Sequence, residues 1–116
     1  MIILVDIGNT STKIATAKDG KILSLTRITT EETRTPDELY VYLKTLGMDE
    51  PRDAVICSVV PSLTPKFVSM FRQRMNLGHP LVVTPYIVTG IELNYKSLSS
   101  LGADRIANAA AAYYEY

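Results

Sequence analysis

Two short stretches of this chain carry residue types that could act together on a charged substrate. The first is Asp6-Ile7-Gly8-Asn9-Thr10, in which an aspartate closes an apolar run and is followed by glycine and by the donors Asn9, Thr10, Ser11 and Thr12. A carboxylate at the end of a buried strand is costly unless its charge meets a cation or several donors, because desolvation disfavours the ionised form. Gly8 lets the backbone approach an anion closely, the hydroxyl and amide groups after it are of the kind that cradle phosphate, and Lys13 adds a positive charge nearby. Asp6 is therefore expected to meet a cation or several donors, and Gly8, Asn9, Thr10 and Lys13 are of the types that surround a phosphate group. The plainer alternative is that Asp6 opens a turn and the polar run merely joins two strands. The run has neither the P-loop spacing nor the G-x-G-x-x-G spacing of a dinucleotide turn, so both of those readings are set aside.

The second stretch is Gly102-Ala103-Asp104-Arg105, at the expected start of a helix, where the helix N-terminus also favours an anion. A carboxylate beside a guanidinium can accept a hydroxyl proton and hold a polar substrate within one small space. Asp104 could equally be an ordinary helix-capping aspartate. The other candidates read as structure. His79, between Gly78 and Pro80, is expected in an exposed loop, and Cys57 in an apolar strand as inert core. Met70 and Met75, sharing a helix with Phe67 and Phe71, are expected to fill the core.

The elements that must position these residues can be read from periodicity and turn chemistry. Residues 2–7 form a continuous apolar, β-branched run, as in a strand buried on both faces. The turn Gly8-Asn9-Thr10-Ser11 ends it. Residues 12–18 alternate as a second strand, and Asp19-Gly20 is a hairpin signal leading to a third strand over 21–30. Thr35-Pro36-Asp37-Glu38 combines a capping threonine, proline at the first helical position and a capping-box glutamate. Leu39, Leu43 and Leu46 follow at helical spacing, so a helix is expected up to Gly47. Residues 53–60 read as a second buried strand stopped by Pro61, Thr64-Pro65 as the cap of a second helix, and Leu81-Val82-Val83 as a short fifth strand. A third helix is expected from Leu101 or Ala103 through the alanines at 107 and 109–112.

Three hairpin-type strands followed by helix, strand, helix, strand and helix describe an α/β unit of the ribonuclease-H-like superfold. The expected architecture is a mixed five-stranded sheet with helices on both faces, and actin-like members of the superfold use two such units. Residues 1–116 are expected to be one domain. Tyr113-Tyr114-Glu115-Tyr116 offers no helix stop, which reads as a chain ending inside a helix, that is, as half of a longer protein.

Bulk composition narrows the function classes. Twelve basic and twelve acidic side chains cancel, so no long-range field favours nucleic acid or an anionic membrane surface. A single cysteine excludes an internal disulfide and suits a reducing, cytoplasmic setting. The apolar N-terminus lacks a preceding basic stretch and is interrupted by Asp6 far short of spanning length, so neither an export signal nor a membrane span is expected.

Taken in order, Asp6 to Thr10, Ser58 to Pro61 and Gly102 to Arg105 resemble the D-x-G-N-T, S-V-V-P and G-x-D-R motifs in the N-terminal half of type III pantothenate kinase. Asn108 and its alanine neighbours are similar to that family's R-x-A-N-x-x-A helix. The resemblance runs over essentially the whole chain. It implies an actin-like enzyme that phosphorylates the primary hydroxyl of pantothenate from ATP, the first step towards coenzyme A. It also implies Mg²⁺ held by Asp6 through water, a monovalent cation (K⁺ or NH4⁺), and a homodimer. Asp104 would be the base or orienting carboxylate, and Tyr95, Gly102, Ala103 and Arg105 would line the pantothenate pocket. Leu98 stands where the family commonly has proline. The family's second half carries another D-x-G-T type turn, so these 116 residues alone are expected to be inert or nearly so. Two other classes remain open on the sequence: a non-catalytic regulator of the same fold, and a metal-dependent nuclease, which would need several carboxylates converging on two metals.

Overall fold

The computed structural model describes residues 1–48 and 50–83. The expected third helix, with Tyr95, Gly102, Ala103, Asp104, Arg105, Asn108 and the terminal tyrosines, lies outside the described residues. Within them, five strands form one mixed sheet in the order β3-β2-β1-β4-β5, with helix α1 between β3 and β4 and helix α2 between β4 and β5.

Strand β1 (Ile2–Ile7) is central, and all six of its residues are buried, as its unbroken apolar run requires. It pairs antiparallel with β2 (Ser11–Lys18) and parallel with β4 (Asp53–Ser58). The β2–β3 hairpin turns on Asp19 (φ 53°) and Gly20 (φ 79°), the two left-handed residues that a type I′ turn demands. Strand β3 (Lys21–Thr29) is the sheet edge. Ser24 and Ile22 oppose Thr16 and Ala17, so Leu23 is the extra residue of a bulge that interrupts this edge.

Helix α1 (Pro36–Thr45) starts as its sequence specifies: Thr35 accepts from the Glu38 amide, and Glu38 accepts from the Thr35 amide. It ends in a Schellman arrangement, with the Gly47 amide on the Lys44 carbonyl (3.0 Å) and the Met48 amide on the Leu43 carbonyl (2.9 Å), made possible by Gly47 at φ 79°. This end corrects one expectation. Leu46 is the C-cap and is 37% exposed, while Met48, folded back by the Schellman bonds, is buried in its place. Removing the N-terminal bond in Thr35→Ala is expected to lower stability by about 1 kcal/mol, read from the urea midpoint.

Strand β4 stops two residues before its apolar run does. Ser58 Oγ accepts from the Val60 amide at 3.0 Å and donates to the Val60 carbonyl at 3.1 Å, which turns the chain and leaves Val59 exposed. Helix α2 (Thr64–Arg74) is capped by Leu63, without a side-chain bond. Thr64, expected as the cap, is already helical and donates back to the Val60 carbonyl at 3.3 Å. The short strand β5 (Leu81–Val83) then pairs parallel with β4.

Both described helices pack on the sheet face formed by Ile3, Val5, Ile7, Ile14, Ala54 and Ile56, contributing Leu39, Leu43, Phe67, Met70, Phe71 and Met75. The expected packing role of the two methionines holds. The helices are tied at the surface by Arg74, which pairs with Asp37 at 3.0 Å and lies 5.3 Å from the centre of the Tyr40 ring. The opposite face carries a second cluster of Ile2, Leu4, Ala15, Ala17, Val55 and Val83. No described helix is long and apolar enough to cross a membrane.

Candidate functional site

The two parallel strands β1 and β4 lie side by side, with Ile7 opposite Ser58. From their carboxyl ends the chain leaves in opposite directions along the sheet, β1 towards β2 and β4 towards β5. Such a divergence opens a crevice, which is where open α/β sheets place their ligands. The Gly8–Thr10 turn forms one lip of this crevice and the Ser58–Pro61 segment the other. The Val59 amide donates to the Ile7 carbonyl at 3.0 Å and ties the lips together at their base.

Asp6 is 2% exposed and, by strand alternation, points to the face opposite α1 and α2. Its neighbours across the sheet are Lys13 on β2 and Cys57 on β4, and Arg27 lies beyond Lys13 on β3. One transverse row therefore runs Arg27, Lys13, Asp6, Cys57. Lys13 is half-buried, in a position to lower the local cost of the carboxylate or of an added phosphate. Cys57, expected as inert core, is half-buried beside Asp6, so its thiol belongs to the surroundings of the site. Asn9 and Thr10 are exposed at the tip of the turn. His79 is exposed, as its loop position suggests. Among the described residues no three His, Cys, Asp or Glu side chains converge in a metal cluster.

The turn is held from a distance that sequence reading did not reach. Thr30, just past β3, donates from Oγ1 to the Gly8 carbonyl at 2.7 Å and from its amide to the Thr10 carbonyl at 3.0 Å. Its hydroxyl also lies 2.9 Å from that of Thr12, and the Gly8 amide donates to the Ser11 carbonyl at 3.0 Å. The other lip is braced from the same loop. Ser62 Oγ donates to the Glu32 carboxylate at 2.5 Å, and Lys66 Nζ donates to the Glu32 carbonyl. Neither Thr30 nor Glu32 stands in a recognisable motif, and nothing local marks them. Beyond Ser58 and Val59 an open cleft of about 1170 Å³ extends between β4, β5 and α2, walled mainly by Pro61, Pro65, Val68 and Val83, with Arg72 at its side.

The family model for type III pantothenate kinase matches residues 2–116. Curated relatives with that name include those of Fervidobacterium nodosum (40% identical over 119 residues), Agathobacter rectalis (38% over 122) and Geobacter sulfurreducens (35% over 126). Each alignment covers all of this chain and 47%, 46% and 48% of the respective relative. The chain thus spans about half the length of the curated relatives it matches, and its mixed sheet fits the actin-like ATPase fold. A match over essentially the whole chain, in order with the three motifs, places the protein in the type III pantothenate kinase family.

Proposed function

We propose that the complete gene product containing these residues transfers the γ-phosphoryl group of ATP to the primary hydroxyl of pantothenate, giving 4′-phosphopantothenate and ADP, the first step of coenzyme A biosynthesis. The observation that carries this reading is the match of the family model over residues 2–116, with Asp6 and its donor-rich turn at the crevice between β1 and β4. The described residues form the core of one lobe, and a second lobe completes the nucleotide site.

Phosphoryl transfer demands placement and charge neutralisation more than a strong nucleophile. Gly8, Asn9 and Thr10 would receive the phosphates, and Lys13 would offset their charge. Asp6 would hold Mg²⁺ through water. When bound, that ion neutralises charge on the phosphate oxygens. Asp104 would orient the pantothenate hydroxyl and take up its proton as the new oxygen–phosphorus bond forms and the bond to the ADP oxygen breaks. Arg105, Tyr95, Gly102 and Ala103 would fix the rest of the substrate. The reading extends to a monovalent cation (K⁺ or NH4⁺), a homodimer and a cytoplasmic setting. The first two rest on the resemblance to the family and the third on the single cysteine.

The test is a coupled assay on the complete gene product with Mg²⁺, ATP and pantothenate. ADP release that depends on pantothenate, with a phosphorylated product by mass, is expected. ADP release that ignores pantothenate, or phosphorylation of a different alcohol in preference, would overturn the assignment.

A further inference from the structure

We propose that Thr30 is a positioning residue for the nucleotide phosphates, acting through the Gly8 carbonyl and backed by Thr12. The inference rests on the reading of the Gly8–Thr10 turn as a phosphate cradle.

Proton bookkeeping fixes the direction of the network. A carbonyl oxygen has no hydrogen to give, so the 2.7 Å contact makes Thr30 Oγ1 the donor to the Gly8 carbonyl. That uses the single Thr30 hydroxyl proton. In the 2.9 Å contact with Thr12, Thr12 Oγ1 must then donate to Thr30 Oγ1. The chain runs from Thr12 through Thr30 to Gly8, and each bond polarises the next. Thr12 is 2% exposed and Thr30 half-buried, so water competes poorly for these groups.

The consequence for a ligand follows from peptide geometry. No peptide bond among the described residues is cis. In a planar trans peptide the N–H of the next residue points opposite to the C=O. Holding the Gly8 carbonyl towards Thr30 therefore holds the Asn9 amide away from Thr30, at the exposed tip of the turn. The Thr10 carbonyl is drawn to the same side by the Thr30 amide at 3.0 Å. Thr30 thus collects two electronegative carbonyl oxygens on its own side of the turn and leaves donor groups on the other. An anion is best received by such a prearranged surface, because no reorientation of dipoles is needed when it arrives. If Thr30 only terminated β3, its amide bond to Thr10 would suffice and the hydroxyl would be dispensable.

The experiment compares Thr30→Val, which keeps shape and removes the hydroxyl, with Thr30→Ser, which keeps the hydroxyl. Both are made in the complete gene product. The readouts are KM for ATP, KM for pantothenate, and calorimetric binding of Mg·ADP without pantothenate. Thr30→Val is expected to raise KM for ATP and Kd for Mg·ADP by about five- to tenfold, the usual worth of one hydrogen bond, with KM for pantothenate unchanged. Thr30→Ser is expected to restore both nucleotide constants. Thr12→Val added to Thr30→Val should cost less than the two singly, because the network is already broken. Unchanged nucleotide affinity in Thr30→Val, or equal rises in both KM values that serine does not restore, would overturn the inference. The binding readout separates this failure from that of the proposed function. A wild type that binds Mg·ADP but ignores pantothenate sinks the substrate assignment alone, and a wild type that binds no nucleotide sinks both.

Discussion

Asp6→Asn in the complete gene product is expected to lower kcat/KM for ATP by about 10²–10³-fold while leaving the fold intact. The two side chains are nearly the same size, so the packing around a position that is 2% exposed is preserved. What changes is charge. Asparagine offers one carbonyl oxygen without a negative charge, a poor ligand for a hard divalent cation, and Lys13 opposite it no longer faces an anion of the protein. A melting temperature that holds while activity falls is the expected mark of a functional charge rather than a structural one. A melting curve and a magnesium-dependent nucleotide titration on the same preparation check both halves. Full activity in Asp6→Asn, or lost activity explained by a collapsed melting temperature, would contradict the role proposed for Asp6.

Asp104→Asn is expected to have an effect of similar or greater size through a different constant. Loss of a group that orients and deprotonates a hydroxyl should reduce kcat by about 10²–10⁴-fold. Nucleotide binding should survive, since the proposed phosphate cradle lies on the β1–β2 turn. The two variants thus predict opposite patterns, Asp6→Asn weak in nucleotide affinity and Asp104→Asn strong in nucleotide affinity but slow in turnover. Calorimetry with an inert ATP analogue, run alongside steady-state kinetics, separates them. If Asp104→Asn lost nucleotide binding to the same extent, Asp104 would belong to the phosphate site and the division of labour would be wrong.

The pattern of agreement between sequence and structure has a physical basis in range. Capping boxes, hairpin turns and buried strands announce themselves because their determinants lie within a few residues. Thr35 and Glu38 satisfy each other across one helical turn, and Asp19 and Gly20 need only their own φ angles. The misreadings occur where a nearby polar group overrules a hydrophobic pattern. Residues 53–60 look like one strand, yet the Ser58 hydroxyl bonds to Val60 and bends the chain, which is what forms one lip of the crevice. Leu46 has the right spacing for the core, yet the Schellman bonds across Gly47 bring Met48 in instead. Thr64 and Pro65 look like a cap and a first turn, yet the helix already begins with Thr64.

Asp6, Gly8, Asn9, Thr10 and Lys13 stand out as candidates from order alone, because a charge placed at the end of an apolar run and followed by small donors is costly to bury unless a cation or several donors meet it. The element order likewise implied a mixed five-stranded sheet, while the strand order β3-β2-β1-β4-β5 is seen only in the fold. Folding supplied what no run of residues contains. It set Asp6 between Lys13 and Cys57, and it brought Thr30 across 22 positions to the Gly8 carbonyl and Ser62 across 30 to Glu32. Hydrogen bonds depend on distance in space and on direction. Side chains so far apart along the polypeptide meet only after the strands have taken their register, so the bracing of the crevice is a property of the folded sheet.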